Sequence, residues 1–200
     1  MVPADMNADR TRGTEAVVIG ASAGAVDALG VLLPALPASA RIPFVVVVHV
    51  PADTPSLLVE IFARRCPLKV RQPFDKQPIE PGIWIAGPDY HLLVESDRSL
   101  SVSLDEPVNF SRPSIDVLFE SAADVYGPSL AAVVLTGASR DGARGARKVR
   151  DAGGLVLVQD PADAEIDIMP RAAIEEASPQ VVAPLSELAK ALIDISRGRS

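Results

Sequence analysis

Short runs of β-branched and aliphatic residues alternate along the chain with longer segments in which apolar residues recur at helical spacing. The short runs are typical of fully buried strands, and they lie at residues 16–20, 43–49, 131–136 and 154–159. The longer segments predict helices at residues 24–36, 55–65, 113–127, 141–152 and 185–196. This alternation predicts an α/β fold with a doubly wound, mostly parallel sheet.

The pattern changes around residues 68–107, where short strand-like runs are separated by proline, glycine and aspartate. The runs read "LKVRQP", "GIWIAG", "HLLVES" and "LSVSLDE". They predict an antiparallel strand region inside the α/β domain. Residues 1–14 have no apolar periodicity and are expected to form a flexible N-terminal tail, so that residues 15–200 form the folded domain.

Composition narrows the possible partners and the compartment. Of the 200 residues, 48% are hydrophobic and 22% charged, which is typical of a globular protein. The net charge of −7 argues against nucleic acid as the main partner, because phosphate binding needs clustered lysine and arginine. A single cysteine, Cys66, excludes an internal disulfide and favours a cytoplasmic location. No apolar stretch resembles a signal peptide or a membrane span.

Three predicted core strands are each followed by a residue capable of catalysis. Ser22 follows the first strand, His49 ends the second, and Asp141 lies in the loop after strand 131–136. Because loops at the carboxyl ends of parallel strands meet in one crevice, we expect these side chains to lie close together. They are a nucleophile, a base and a carboxylate, the set that forms a catalytic triad.

The turn "GASAG" at residues 20–24 fits more than one role. It matches the G-x-S-x-G nucleophile turn in the required position between a strand and a helix. A serine here can equally serve as a helix cap. The turn is also similar to the cofactor turn of short-chain dehydrogenases, but the Tyr–Lys pair four residues apart that those enzymes need is missing. The α/β-hydrolases are excluded by chain order, since both histidines precede Asp141.

The base and the carboxylate are chosen from short lists. The chain has two histidines, and His49 at a buried strand end is favoured over His91, which is expected to be a surface or packing residue. Among the acids, Asp141 lies in a tight loop between two glycines, where its plainer role is to cap the helix that follows. Asp116 is expected to lie in the first turn of a helix, where it favours the helix dipole.

Several motifs in a fixed order resemble the catalytic domain of the chemotaxis protein-glutamate methylesterases, the CheB family. The similarity runs from about Val17 to about Ile193. The motifs are "IGASAG", "HVP", "GIWIAGPDYHL", "SRPSIDVLFESAA", "LTGASRDGARG", "AGG" followed by "QDPADA", and "MPRAAI". The resemblance implies that residues 15–200 form a methylesterase-like catalytic domain.

The resemblance also implies a reaction and a partner. Members of this family hydrolyse γ-glutamyl methyl esters on chemoreceptors, and many deamidate receptor glutamines. Carried over to this chain, Ser22 is the nucleophile, His49 the base and Asp141 its orienting carboxylate. The expected partner is a methylated receptor or another helical signalling protein, and contact with the membrane is expected only through the receptor. No cofactor or metal is expected.

The remaining site residues are the groups expected to bind the oxyanion and the substrate. The oxyanion and substrate-binding groups are expected from Ala23, Ala138, Ser139 and Arg112. Ala25 and Ala138 depart from the family pattern, as does the stretch Asn109 to Pro113. Two alternatives therefore stay open: an esterase or amidase for small molecules, and a non-catalytic signalling module on the same fold.

Overall fold

The structure is a computed structural model, and it describes residues 13–50 and 57–197. Its strands are β1 (Ala16–Ala21), β2 (Pro43–Val48), β3 (Val70–Arg71), β4 (Gln77–Pro78), β5 (Gly82–Ile85), β6 (His91–Val94), β7 (Ser99–Ser103), β8 (Leu130–Val134), β9 (Leu155–Gln159) and β10 (Val181–Ala183). Its α-helices are α1 (Ala25–Leu32), α2 (Leu58–Ala63), α3 (Ile115–Tyr126), α4 (Ala143–Asp151), α5 (Ile168–Ala177) and α6 (Leu185–Ser196). Two 3₁₀ turns, Leu33–Ala35 and Gly127–Ser129, follow α1 and α3.

Seven parallel strands form the main sheet, in the order β10-β9-β8-β1-β2-β5-β3. Helices cover both faces, since α1 and α6 pack on one face and α3, α4 and α5 on the other. The fold class predicted from the hydrophobic pattern is therefore confirmed. Within the described residues, no helix combines the length and apolar character that crossing a membrane requires.

The region around residues 68–107 divides between two sheets. Strands β4, β7 and β6 form a small antiparallel sheet, in agreement with the prediction. Strands β3 and β5 instead join the main sheet in parallel, with β5 pairing with β2. The prediction was therefore wrong for "LKVRQP", which contains β3, and for the completely buried "GIWIAG", since both belong to the main sheet. A strand of four residues is too short for the alternation of polar and apolar residues to reveal which sheet it joins.

The sequence pattern also missed α5 and β10. Helix α5 carries Pro170 in its first turn, where the missing N–H costs no helical hydrogen bond. In the sequence alone this proline suggests a break. At the N-terminus Thr14 is already buried, while residues 1–12 of the predicted tail lie outside the described residues. The start predicted for the second helix, at residue 55, also lies outside them.

The strand order places three strand ends side by side. Strand β1 lies between β2 and β8, at the point where the chain changes from building one side of the sheet to the other. The register pairs Ala21 with Val48, so Ser22 and His49 are the next residues along two adjoining strands. Open parallel sheets bind ligands at such a switch point, beyond the carboxyl ends of their strands.

Helix α3 begins directly over this point because of a glycine. A side chain at Gly20 in β1 would overlap the Ile115 side chain, so the missing Cβ lets the start of α3 approach the strand end closely. The approach brings the first N–H groups of α3 to the carboxyl edge of the sheet. It therefore places a second helix N-terminus, in addition to that of α1, at the same crevice.

Candidate active site

The turn that carries Ser22 is held by hydrogen bonds to the loop after β8. The N–H of Ser22 donates to the Thr136 carbonyl at 3.0 Å, and the Thr136 hydroxyl donates to the Ala23 carbonyl at 2.9 Å. The N-cap of α1 is Gly24, with φ of 81°, and no side chain caps this helix. Ser22 is therefore not the cap of α1, and its half-buried side chain is left for another role.

His49 and Asp141 meet although they are 92 residues apart in the chain. Nε2 of His49 donates to Oδ2 of Asp141 at 2.8 Å. The His49 backbone N–H donates to the Ala21 carbonyl at 3.1 Å, which fixes it beside the residue that precedes Ser22. Because Nε2 faces the carboxylate, Nδ1 is the ring nitrogen left to accept a proton. Between the described side chains of Ser22 and His49 no hydrogen bond is formed; in free enzymes this bond is often long and closes when substrate binds.

Asp141 is completely buried and accepts hydrogen bonds from five groups on other residues. The donors are His49 Nε2, Asn109 Nδ2, Ser114 Oγ and the backbone N–H groups of Ile115 and Asp116. Burial by itself raises the pKa of Asp141, but the hydrogen bonds outweigh it and hold that pKa below the ordinary value. The carboxylate is thus kept ionised beside the imidazole, the state needed to stabilise an imidazolium.

Asp141 and Asp116 cap each other's helices: Asp141 caps α3, which contains Asp116, and Asp116 caps α4, which Asp141 precedes. Asp141 accepts from the N–H groups of Ile115 and Asp116 in the first turn of α3. Asp116 accepts from the N–H groups of Gly142 and Gly145 at the start of α4, at 3.0 and 2.7 Å. The cap of α4 is therefore Asp116, and Asp141, for which that role was considered, caps α3 instead. Such caps satisfy N–H groups that have no partner within their own helix.

Asn109 joins the two carboxylates. Its Nδ2 donates to Asp141 Oδ1 and to Asp116 Oδ2, each at 2.8 Å. Burial raises the pKa of Asp116 above its ordinary value, and the nearby charge of Asp141 acts in the same direction. Asn109 stabilises the charged form of both acids, so this side chain offsets part of the cost of placing two acids together.

His91 lies behind the site as a buried packing residue. Its Nδ1 accepts a hydrogen bond from the Ser114 N–H at 3.1 Å, and its Nε2 donates to the Glu106 carbonyl at 3.2 Å. These two bonds define a neutral imidazole with the proton on Nε2. Because Ser114 Oγ binds Asp141 at 2.8 Å, His91 supports the carboxylate through Ser114 without contacting it.

The expected oxyanion donors lie near Ser22 in two loops. The N–H of Ala23 is in the turn before α1, and no backbone acceptor takes it among the described residues. Ala138 and Ser139 follow Gly137, whose Cα lies so near Ser22 that an added Cβ would be 3.0 Å from the Ser22 Cβ. Ser139 Oγ also accepts the N–H of Asp141 at 3.3 Å. Ala23 adjoins Ser22 in the chain and Gly137 lies against its side chain, and the oxyanion role of Ala23, Ala138 and Ser139 remains a prediction.

Replacing Gly137 by alanine is expected to lower kcat by about 10-fold to 100-fold, because the new methyl group would displace Ser22. It would also meet Met169 Cε at 2.7 Å and Sδ at 2.8 Å, and this side chain is completely buried, so it has little room to move away. The control is Gly30→Ala, whose methyl would meet only the flexible Arg65 guanidinium at 3.3 Å, and which is expected to keep full activity. Equal kcat values for the two variants would show that Ser22 does not need its present position.

An open cleft of about 450 Å³ lies on the outer side of His49. It is lined by His49, Val50, Asp89, Pro107, Phe110, Ser111, Arg112 and Pro113. The predicted substrate-binding residue Arg112 is in this wall, but Asp89 Oδ1 binds its Nε and Nη2 at 2.9 and 2.6 Å. Its Nη1 donates to the Leu104 and Asp105 carbonyls. Arg112 therefore fastens the loops of the cleft, and its charge is largely neutralised.

Other reactive groups are less suited to catalysis. Burial raises the pKa of the Cys66 thiol to about 11, so the thiolate is scarce at neutral pH. No group of three or more His, Cys, Asp or Glu in the described part of the chain is arranged to hold a metal ion. Sequence reasoning did not assign site roles to Asn109 and Ser114. The quoted motif "SRPSID" contains Ser114, but nothing in its spacing shows that the serine reaches Asp141.

Three comparisons with known proteins relate this chain to one family. The sequence profile of the CheB methylesterase family matches residues 17–192. A Leptospira interrogans protein, provisionally named a protein-glutamate methylesterase/protein-glutamine glutaminase, is 46% identical over 92% of this chain and 95% of its own length. A Trichodesmium erythraeum protein-glutamate methylesterase/protein-glutamine glutaminase is 38% identical over 90% of this chain, which spans 52% of that protein. The crystal structure of the Thermotoga maritima CheB methylesterase catalytic domain matches with a TM-score of 0.86 and 31% identity, over 91% of this chain and 98% of that one.

Proposed function

This chain belongs to the CheB methylesterase family, and from that premise we propose that it hydrolyses γ-methyl esters of glutamyl side chains on chemoreceptor-type proteins. The catalytic unit is the domain of residues 15–200, and Ser22, His49 and Asp141 form its triad. The observation that carries the proposal is the 2.8 Å hydrogen bond between His49 and Asp141. His49 directly follows Val48, which pairs with Ala21, the residue before Ser22. Since the substrate is the cytoplasmic part of a receptor, the enzyme acts in the cytoplasm.

Acylation begins with a proton transfer inside the site. The His49 imidazole takes the hydroxyl proton of Ser22 at Nδ1, while Ser22 Oγ forms a bond to the ester carbonyl carbon. The carbonyl π electrons move to oxygen, and the resulting oxyanion is stabilised by backbone N–H groups at Ala23 and at Ala138–Ser139. When the intermediate collapses, the bond between the acyl carbon and the methoxy oxygen breaks, and His49 protonates that oxygen so that methanol leaves.

Deacylation repeats the same steps with water. His49 removes a proton from water, the hydroxide attacks the acyl carbon, and the proton then returns to Ser22 as the glutamate side chain leaves. In both halves Asp141 stabilises the imidazolium and holds the ring so that Nδ1 faces the serine. Five hydrogen bonds fix the Asp141 carboxylate before substrate arrives, so little reorganisation is needed during reaction.

Deamidation of glutamine is a second activity of the same site. The relatives named above are also called protein-glutamine glutaminases. The chemistry differs only in the leaving group, since His49 would protonate the amide nitrogen, which leaves as ammonia, instead of the methoxy oxygen. An amide is less reactive than an ester, so we expect a lower kcat for the glutamine substrate.

The proposal is tested by measuring methanol release from a methylated chemoreceptor fragment. The purified protein is expected to release one methanol for each glutamyl ester lost, and the unmethylated fragment serves as the control. A free glutamate γ-methyl ester offers few atoms for binding, so kcat/KM for it is expected to be at least about tenfold lower. Equal kcat/KM for both substrates would favour the small-molecule esterase. No hydrolysis of either would favour the non-catalytic signalling module.

A further inference from the structure

A two-residue hairpin turn lies beside the cleft, between Val108 and Ser111. The N–H of Ser111 donates to the Val108 carbonyl at 2.9 Å, and the N–H of Val108 donates to the Ser111 carbonyl at 3.2 Å. The two central residues, Asn109 and Phe110, have φ of 52° and 61°. This is the backbone of a turn that normally requires Asn-Gly or Gly-Gly, because both central residues adopt the left-handed region.

Phe110 is an unfavourable residue for that position. Asparagine tolerates the left-handed region, but a bulky aromatic residue there is strained. The turn persists because Asn109, its other central residue, is fixed. Asn109 Nδ2 donates hydrogen bonds to the buried carboxylates of Asp141 and Asp116. Asn109 thus points into the site while Phe110 points out of it. The protein holds an aromatic ring in a strained and defined position.

The Phe110 ring is fully exposed. Its relative exposure is 104%, so none of the residues that the structure describes packs on it. It also lines the cleft together with His49. Two further exposed apolar side chains lie at the residues around the Arg112 guanidinium: Tyr90 follows Asp89, and Leu104 accepts a hydrogen bond from the guanidinium through its carbonyl. Because that guanidinium is neutralised, the cleft rim presents apolar surface rather than free positive charge.

We propose that Phe110 is a substrate-docking residue, which packs on an apolar side chain of the substrate protein next to the glutamyl ester. This inference rests on the proposed function, because it takes the ester to be part of a protein. A methyl ester alone offers little surface, so binding must come from its surroundings. If the substrate is helical there, residues three or four positions from the glutamate lie about 5–6 Å away, within reach of a ring on the cleft rim.

The test compares Phe110→Ala, Phe110→Trp and Phe110→Gly with Phe74→Ala. Phe74 is a matched control, since it is 79% exposed and is not among the cleft-lining residues. On a methylated chemoreceptor fragment, Phe110→Ala and Phe110→Gly are expected to raise KM about tenfold with kcat changed less than twofold, whereas Phe110→Trp keeps KM near the wild-type value. Phe74→Ala is expected to leave both constants unchanged.

Phe110→Gly separates docking from a structural role. Glycine relieves the strained φ, so the thermal midpoint is expected to stay the same or rise while KM for the protein substrate rises. For a free glutamate γ-methyl ester, kcat/KM of all three Phe110 variants should fall no more than about twofold. An unchanged KM of Phe110→Ala on the fragment, or an equal loss on both substrates, overturns the docking role.

A binding measurement keeps this inference distinct from the proposed function. In the Ser22→Ala background, calorimetry with the methylated fragment is expected to show a Kd about tenfold weaker when Phe110 is also alanine. If the wild type releases no methanol but this difference persists, the proposed hydrolysis fails and the docking surface stands. If methanol is released and the two Kd values are equal, hydrolysis stands and the docking role is overturned.

Discussion

Replacement of Ser22 by alanine is expected to lower kcat for methyl-ester hydrolysis by a factor on the order of 10⁴–10⁶, because the substitution removes the nucleophile of both half-reactions. Stability should change little. The Ser22 hydroxyl caps no helix, and its backbone bonds to Thr136 and Ala25 do not involve the side chain. The measurement is methanol release from the methylated receptor fragment, alongside the thermal midpoint.

Ser39→Ala is the matched control for that experiment. Ser39 is an exposed serine that lies outside the cleft, so its replacement is expected to leave kcat unchanged. If Ser22→Ala keeps more than about a tenth of the wild-type kcat, the acyl-serine mechanism is wrong. The remaining activity would then have to come from water activated directly by His49.

The positions of Ser22, His49 and Asp141 could be predicted because they depend on simple features. Buried parallel strands are recognisable as aliphatic runs, and in such sheets the carboxyl ends of adjoining strands converge. The register between β1 and β2 then brings Ser22 and His49 together with no further information. Their catalytic roles remain predictions, which the substitution experiments above and below address.

The groups around Asp141 could not be predicted, because they depend on how two helices approach each other. Ser114 and the first N–H groups of α3 reach this carboxylate because α3 starts over Gly20, and Asn109 reaches it from the turn before α3. No local pattern encodes that approach. From the sequence, each aspartate has a role at its own helix: Asp116 in the first turn of α3, where it favours the dipole, and Asp141 as the cap of α4. In the structure these roles are exchanged, since each acid accepts hydrogen bonds from N–H groups at the start of the other helix.

This exchange links the candidate catalytic carboxylate to the stability of the fold. Replacement of Asp141 by asparagine is expected to lower kcat on the order of 10⁴-fold and the free energy of unfolding by about 1–3 kcal/mol. Asparagine has one acceptor oxygen, and its NH₂ group would face donors. If that group points at His49 and Ile115, the buried Ile115 N–H loses its acceptor. His49 Nε2 must then accept a hydrogen bond from that NH₂ group, so the ring proton moves to Nδ1, which can no longer take a proton from Ser22.

A pH series separates these two effects. The pKa of Asp141 is held below its ordinary value in the folded protein, so its charge stabilises the fold above about pH 4, and this stabilisation is lost as the pH falls through the lowered pKa. The difference in unfolding free energy between wild type and Asp141→Asn should therefore be largest at neutral pH and shrink below about pH 4.

The control is Asp124→Asn, which removes an exposed carboxylate paired with Lys148 and is expected to alter neither stability nor kcat appreciably. Denaturant unfolding at each pH gives the first quantity and methanol release gives the second. A stability difference that stays constant from pH 7 to pH 3 would show that the Asp141 charge does not hold α3, and a kcat within tenfold of wild type would remove Asp141 from the triad.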